Sequence, residues 1–331
     1  MYKTTTFRQL TAIDAVARLG GVSRAAQALH LTQPTVSLQL RLLEEATGAA
    51  LVQRSGRGLL LTPAGEVVAG YASQILELWR HASDEVASLK GQLAGTLRVG
   101  ALITAEYLLP PLLVAFNTGR PDVKVKLSVG NREEVVRMLT RHEIDIAIMG
   151  KPPGDVRTES RAFAKHPMAF IASPQHPLMT RRDLALRDLS GENILVREHG
   201  SGAHNTAERL FKDAGLRFSP GSELSSNEAI KQMVAAGLGI GFLSLHACAL
   251  EFQAGLIGLL PLPGNPVEHD WYVLHLSTAR LPPVAAAFQD FLADHGQAEI
   301  SRQLQAFDAV VDSLRAKGTR RRGGGARPAR R

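Results

Sequence analysis

Val22-Ser23-Arg24-Ala25-Ala26-Gln27-Ala28-Leu29-His30-Leu31-Thr32-Gln33-Pro34-Thr35-Val36-Ser37-Leu38-Gln39-Leu40-Arg41 is the stretch whose reading decides the fold. Ser23 is a candidate cap for a short helix over Ser23–Leu29, whose Ala25, Ala26 and Ala28 permit close approach of a neighbouring helix. After a break at His30-Leu31, Thr32 can cap a further helix. Pro34 falls in its first turn, where a missing N–H costs little. Val36, Leu40 and Leu43 recur at i, i+4 and i+7 and predict the core-facing stripe. Gln33, Ser37, Leu38 and Arg41 then lie on the opposite face. Two short helices joined by a tight turn, the second polar outside, form a helix-turn-helix shaped to enter a major groove about 12 Å wide.

Upstream, Phe7, Leu10, Ile13, Val16 and Ala17 predict an amphipathic helix that Gly20-Gly21 stops. Downstream, Leu51–Arg54 and Leu59–Thr62 flank Ser55-Gly56-Arg57-Gly58, the pattern of a β-hairpin. Beside a helix-turn-helix such a hairpin is a wing, with Arg54 and Arg57 placed for phosphate or minor-groove contact. The plainer alternative is a small helical packing domain with solvated arginines.

Charge favours the first reading. The net charge is +7, but the tail Lys317–Arg331 carries seven basic and no acidic residues and accounts for all of it. Within the rest, residues 1–62 hold seven basic against three acidic residues, while residues 91–316 hold 22 against 24. The excess that remains sits on the N-terminal module, and it bears on partners, not on fold. The tail, rich in glycine and arginine, is expected to be disordered over residues 317–331.

Residues 5–62 resemble the winged helix-turn-helix domain of LysR-type transcriptional regulators. The resemblance rests on Ser23-x-Ala25-Ala26-x-x-Leu29, Gln33-Pro34-Thr35-Val36-Ser37, Leu40-x-x-Leu43-Glu44, Leu51-Val52-x-Arg54 and Leu61-Thr62-Pro63-Ala64-Gly65. Val52 and Thr35 stand where that family often has Phe and Ala. The resemblance implies DNA contact through Val22–Arg41, above all Gln33, Pro34, Ser37, Leu38 and Arg41, with Arg54 and Arg57 from the wing.

Residues 63–89 continue as a helix with Pro63 in its first turn. Val68, Tyr71, Ile75, Leu78, Ala82 and Leu89 form a heptad-like seam suited to pairing with a second copy, against the alternative of an ordinary core helix. Lys90–Gly95 reads as a hinge.

Beyond Gly95 short apolar runs alternate with helical stretches. Leu97–Leu102, Val123–Val129 and Ile144–Met149 read as strands, with helices near Ala105–Thr118 and Glu133–Arg141. A second set comprises Met168–Ser173, Ile194–Val196, Ile240–Ser244 and Trp271–His275, with helices near Ala203–Ala214, Glu228–Ala236 and Pro283–His295. This predicts two α/β lobes with largely parallel sheets: the first over about 95–165 plus the C-terminal helix, the second over about 166–265. Ligands in such sheets bind at the carboxyl ends of strands. Thr104, Asn131, Ser201 and Asn227 fall at strand-to-helix junctions, each of which taken singly is more simply explained by helix capping alone. Arg132 and Lys151 add cations at one edge, which favours an anion such as a phosphate.

Residues 95–295 are similar to the effector domain of the same family, which has the two-lobed fold of periplasmic binding proteins. Gly130-Asn131-Arg132-Glu133, Ala147–Pro153, His166-Pro167, Ser173–Leu178, Gly200-Ser201-Gly202, Ser226–Gln232 and Phe242–His246 resemble, more narrowly, the Calvin-cycle operon regulators. The fold so implied is an N-terminal winged helix-turn-helix with a long linker helix, followed by a two-lobed α/β effector domain over residues 95–295. The implied function is activation of carbon dioxide fixation genes in response to a phosphorylated metabolite or NADPH. Double-stranded DNA, a homodimer or homotetramer, and RNA polymerase are the implied partners. Thr104, Asn131, Arg132, Lys151, Ser201, His204 and Asn227 are the effector-site candidates. Ile103-Thr104-Ala105 and Ala203-His204 depart from that subfamily's pattern, so the effector's identity stays open.

Other classes fare worse. Gly237-Leu238-Gly239-Ile240-Gly241 lies at a helix-to-strand turn, the wrong polarity for a dinucleotide site. His166 and His176 are too far apart for a metal motif and read as surface residues. There is no Gly-x-Ser-x-Gly elbow, and the single Cys248 reads as inert packing in an apolar helix and argues for a reducing compartment. No catalytic residue, metal or cofactor is expected. Without a signal-like segment or an 18-residue apolar run, a cytoplasmic regulator is expected over a secreted solute receptor, and no membrane partner. A LysR-type regulator of another operon, with a different anionic effector, is the nearest alternative.

Overall fold

The computed structural model describes residues 4–55, 58–89 and 93–320. The N-terminal module comprises α1 (Phe7–Leu19), α2 (Val22–Ala28), α3 (Gln33–Thr47), β1 (Val52–Ser55) and β2 (Gly58–Leu61). Thr6 and Gln9 form a reciprocal capping box at the start of α1, and Gly20 closes it in the left-handed region that favours glycine. α3 starts as its sequence demands: the Thr32 hydroxyl accepts the Thr35 N–H at 3.3 Å. α2 departs from expectation. It begins one residue earlier, with Gly21 at the cap position and no side-chain cap, so Ser23 lies inside the helix.

Ile13, Val16, Ala25, Ala26, Val36, Leu40, Leu43 and Leu51 fill one core under these helices. The hairpin pairs Val52 with Leu61 and Arg54 with Leu59. Glu44, near the end of α3, ties the hairpin to that helix by accepting the N–H groups of Leu51 and Val52 at 2.8 and 3.2 Å. α4 (Pro63–Ser88) follows, its Thr62 cap accepting from Gly65 at 3.0 Å. A Cβ at Gly65 would lie 2.0 Å from the Leu51 carbonyl oxygen, so this close helix–strand approach requires glycine.

The regulatory region contains β3 (Gly95–Leu102), a 3-10 turn over Ile103–Tyr107, α5 (Leu109–Asn117), β4 (Val123–Gly130), α6 (Arg132–Thr140), β5 (Ile146–Met149) and β6 (Thr158–Ala172). Then come β7 (Ile194–Arg197), α7 (Gly202–Asp213), β8 (Ser222–Leu224), α8 (Asn227–Ala235), β9 (Ile240–Ser244), a 3-10 turn at Leu245–Cys248, α9 (Ala249–Gln253), β10 (Gly258–Leu259), β11 (Val267–Leu276) and α10 (Pro283–Arg320). The strand order is β4-β3-β5-β11-β6-β9-β7-β8. β4-β3-β5 are parallel in the first lobe and β9-β7-β8 in the second. Between them β6 and β11 run antiparallel over their length, from Thr158↔Leu276 to Met168↔Val267, and span both lobes.

These two strands correct the sequence reading. Trp271–His275 reads with the second set of strands, but β11 pairs with β5 of the first lobe through Tyr272↔Met149. The first half of β6 carries exposed Glu159, Ser160 and Arg161, so it shows no apolar signature and is held by its pairing with β11. The helix expected over Ala105–Thr118 is a 3-10 turn followed by α5. Cys248 lies in a 3-10 turn, buried, and burial pushes its thiol pKa up.

α10 packs on α5, β3 and β6, placing it on the first lobe, with Phe288 edge-on to Phe116 at 4.9 Å. Its backbone stays helical to Arg320, four residues into the segment expected to be disordered, while the remainder of the tail lies outside the described residues. So do Arg57 and the first half, residues 90–92, of the expected Lys90–Gly95 hinge. Among the described residues no helix is long and apolar enough to cross a membrane.

Candidate nucleic-acid interface and effector cleft

α3 presents Gln33, Pro34, Leu38 and Arg41 to solvent, with Ser37 half-buried among them, while Val36, Leu40 and Leu43 are buried. The polar face therefore comes from a helix whose opposite face is anchored in the core. Arg54 is exposed on β1, paired across the wing with Leu59. These groups lie on one small module and can meet a phosphate backbone and base edges together.

On α4, Tyr71 is 65 % exposed, Ile75 46 % and Leu78 71 %, and Val67, Val86 and Leu89 are exposed as well. Val68 is the exception to the expected seam. It packs half-buried against the winged module's own core, and Val67 takes its place on the open stripe. Trp79 adds to the open surface and meets the Phe7 ring at 5.5 Å.

At the strand-to-helix junctions expected to bind the effector, the structure gives several side chains partners within the chain. Asn131 and Glu134 form a capping box, each accepting the other's N–H at 2.9 Å. The Glu134 carboxylate thus already occupies the positive end of α6. Arg132 donates one guanidinium nitrogen to the Lys151 carbonyl at 2.9 Å and the other to the Pro152 carbonyl at 3.0 Å. The fork expected to grip phosphate holds the loop after β5 instead. Lys151 is exposed on that loop. Thr104 is half-buried in the 3-10 turn after β3. Ser201 caps α7 by accepting the His204 N–H at 3.2 Å. His204 is buried, its Nε2 3.5 Å from Glu223, its Nδ1 without a hydrogen-bond partner among the described residues. Asn227 is buried and accepts from Arg197 at 2.8 Å.

Several residues that the sequence reading passed over lie beside these groups. Arg197, buried at the end of β7, is also held by Glu198 at 2.8 Å. Lys231 is only 3 % exposed; its ammonium lies 2.7 Å from Glu228 and 2.9 Å from Glu251, and 5.0 Å above the Tyr107 ring. The Tyr107 hydroxyl, from the first lobe, donates to Glu228 of the second at 2.8 Å, so the lobes meet through a side-chain hydrogen bond. Burial, with the Glu228 hydrogen bond and charge, pushes the Tyr107 pKa up. Lys231 carried a readable signal: Asn227, Ile230, Lys231 and Val234 share the buried stripe of α8, and a cation at a core position demands a partner.

His166, read as a surface residue, is buried at 6 % exposure and stacks on Trp271 at 3.9 Å. Trp271 donates its indole N–H to His246 Nδ1 at 3.0 Å. Burial lowers both histidines, His246 to about 4. The Nε2 of His166 and the hydroxyl of Ser244 are buried without hydrogen-bond partners among the described residues. His176 caps the 3-10 turn that follows it.

Comparison with known proteins places this geometry in a family. Residues 7–66 match the bacterial regulatory helix-turn-helix of the lysR family, and residues 90–297 match the LysR substrate binding domain. The chain is 42 % identical to the HTH-type transcriptional regulator CbbR of Rhodospirillum rubrum over 86 % of its length and 95 % of that protein. It is 38 % identical to the RuBisCO operon transcriptional regulator of Allochromatium vinosum over 86 % of its length and 94 % of the relative. Among solved structures, the Synechocystis CcmR regulatory domain in complex with 2-PG matches 60 % of this chain and 96 % of that one, at 32 % identity and a TM-score of 0.57. With its winged helix-turn-helix, connector helix and two-lobed sheet, the chain belongs to the LysR family of transcriptional regulators.

Proposed function

We propose that this regulator controls carbon dioxide fixation genes, activating them when a small phosphorylated anion binds between its lobes. The observation that carries the reading is the 38 % identity to a RuBisCO operon regulator along nearly the whole length of both chains. The CcmR regulatory domain, a relative at 32 % identity, holds 2-PG, which supports an anionic effector here.

In this reading Gln33, Ser37 and Arg41 contact base edges, with Pro34 and Leu38 beside them, and Arg54 and Arg57 hold the backbone from the wing. Two copies pair along Tyr71, Ile75 and Leu78, so that two wings meet half-sites about one helical turn apart. A tetramer is built from such pairs, and RNA polymerase is the downstream partner. Effector contacts fall to Thr104, Ser201, His204 and Asn227, with Lys151 supplying charge. Arg132 and Asn131 act indirectly: the first fixes the loop that carries Lys151, the second fixes the start of α6.

Gel-shift on a RuBisCO-operon promoter, with and without ribulose bisphosphate, phosphoenolpyruvate, NADPH or 2-PG, tests the proposal. A sequence-specific complex altered by one of these compounds is the expected result. Equal affinity for promoter and random DNA would refute the target, and indifference to all four compounds would refute the effector class.

A further inference from the structure

The connector helix α4 is fastened to the first lobe at three places. The Ser73 hydroxyl donates to the Arg141 carbonyl at 2.8 Å, Arg280 donates to Glu85 at 2.7 Å, and between them Arg80 pairs with Asp145. The last joint is unlike the other two. The Asp145 side chain is fully buried, and Arg80 is largely so. One guanidinium nitrogen of Arg80 lies among Glu77, His81 and Asp145, and the other donates to Asp84 at 3.0 Å. The second Asp145 oxygen accepts the Arg98 backbone N–H of β3 at 3.0 Å. Burial alone would raise the Asp145 pKa, yet the His81 hydrogen bond and the Arg80 charge hold it below the usual carboxylate range. Glu77, His81 and Asp145 are spaced as metal ligands, but the Arg80 guanidinium already stands between them as the resident cation. The adjoining cavity, lined by Glu77, His81, His142 and Asp145 among others, is about 10 Å³, at the lower limit for one water molecule. The Asp145 carboxylate, with no exposed side-chain surface, therefore has no bulk solvent to take the place of Arg80.

The placement of Asp145 gives this pair reach. It immediately precedes β5, a four-residue strand buried throughout, and the segment leaving β5 is the Lys151-Pro152 loop that Arg132 clamps from α6. One short rigid strand joins the edge of the cleft to the connector. We propose that Arg80 is a positioning residue: its buried pair with Asp145 mounts α4 on the first lobe, so that movement of the lobes about a ligand reaches the DNA-binding modules instead of being absorbed at the junction. The coupling half of this inference rests on the effector reading above; the mounting half does not.

Two measurements on the full-length chain test it. Spin labels at Ser83→Cys on α4 and Glu133→Cys on α6, both exposed positions, report the mounting by pulsed dipolar distances, with labelled chains diluted into unlabelled ones. Cys248 is buried and stays unlabelled. The parent chain should give one narrow distance, Arg80→Ala a broad distribution, and Arg80→Lys an intermediate one. The double variant Arg80→Ala/Asp145→Asn, which leaves no buried unpaired charge, guards against misfolding and should be as broad as Arg80→Ala. A narrow distribution in the folded double variant overturns the proposal.

The second measurement is operator affinity with and without 2-PG or ribulose bisphosphate, alongside calorimetry of the same compound. Arg80→Ala/Asp145→Asn should bind operator and compound as the parent does, but the compound's effect on operator affinity should shrink at least tenfold. An undiminished effect overturns the coupling. If neither compound binds the parent chain, the effector reading fails, and the distance measurement still decides the mounting.

Discussion

Replacing Ile75 and Leu78 together by aspartate should separate the paired connectors, and the size of the effect follows from exposure. Full burial of a Leu or Ile side chain is worth roughly 1.5–3 kcal/mol. Leu78 is 71 % exposed on the single chain and Ile75 46 %, so burying the open part of both in a seam contributes about 2–3 kcal/mol per chain. A symmetric seam doubles this to roughly 4–6 kcal/mol, and the introduced carboxylates add an unfavourable desolvation cost. At about 1.4 kcal/mol per tenfold, the dimer dissociation constant should rise at least about a thousandfold. Sedimentation velocity across a concentration series is the assay, with circular dichroism to show that the helix persists. Val68→Ala is the matched control. That side chain packs into its own module, so its truncation should lower the stability of the winged domain and leave the dimer constant nearly unchanged. An Ile75→Asp/Leu78→Asp variant that sediments as the parent does at every concentration would refute the seam.

Three further outcomes follow from the same structure. Arg41→Ala should cost about 1–3 kcal/mol on the cognate operator and relax its sequence preference, whereas Arg54→Ala should weaken all sequences alike and flatten the salt dependence by roughly one unit; quantitative gel-shift over a salt series separates the two. Arg132→Ala should speed proteolysis near Lys151-Pro152 and reduce effector affinity by less than tenfold, because the guanidinium holds carbonyl groups and not the ligand; a loss of a hundredfold or more in calorimetry would return it to direct contact. Burial holds His246 neutral down to about 4, while the unfolded residue titrates near 6.5. Between those values the unfolded state binds the extra proton, so stability should fall as pH drops from about 6.5 to 4, by up to about 3 kcal/mol from this residue. His166, also lowered by burial, steepens the same decline. His246→Gln, which keeps an acceptor for the Trp271 indole, should make the urea-unfolding free energy less steep in pH across that window, and an unchanged slope would show that His246 does not govern it.

The N-terminal module was legible because its determinants are local. The Thr32 cap, Pro34 in the first turn and the i, i+4, i+7 stripe of Val36, Leu40 and Leu43 act within one or two helical turns, and the exposed face follows once the buried one is known. The two-lobed α/β class followed from strand–helix alternation, again a property of neighbours in the chain. Tertiary structure decided whatever depends on partners far apart in sequence. The polar half of β6 becomes a strand only because β11, more than a hundred residues later, supplies its hydrogen bonds. A guanidinium at a helix start can grip a ligand or a loop, and only the position of the Lys151 and Pro152 carbonyls spends Arg132 on the loop. His166 has no apolar stripe to announce its burial; it is covered by Trp271 from across the sheet. Arg80 reads as one more charge on a helix surface until Asp145, 65 residues away and fully buried, is folded against it. Periodicity fixes which face of an element is buried, because it depends on backbone geometry alone. What a buried charge does there depends on the group opposite, and only the packed chain brings that group into place.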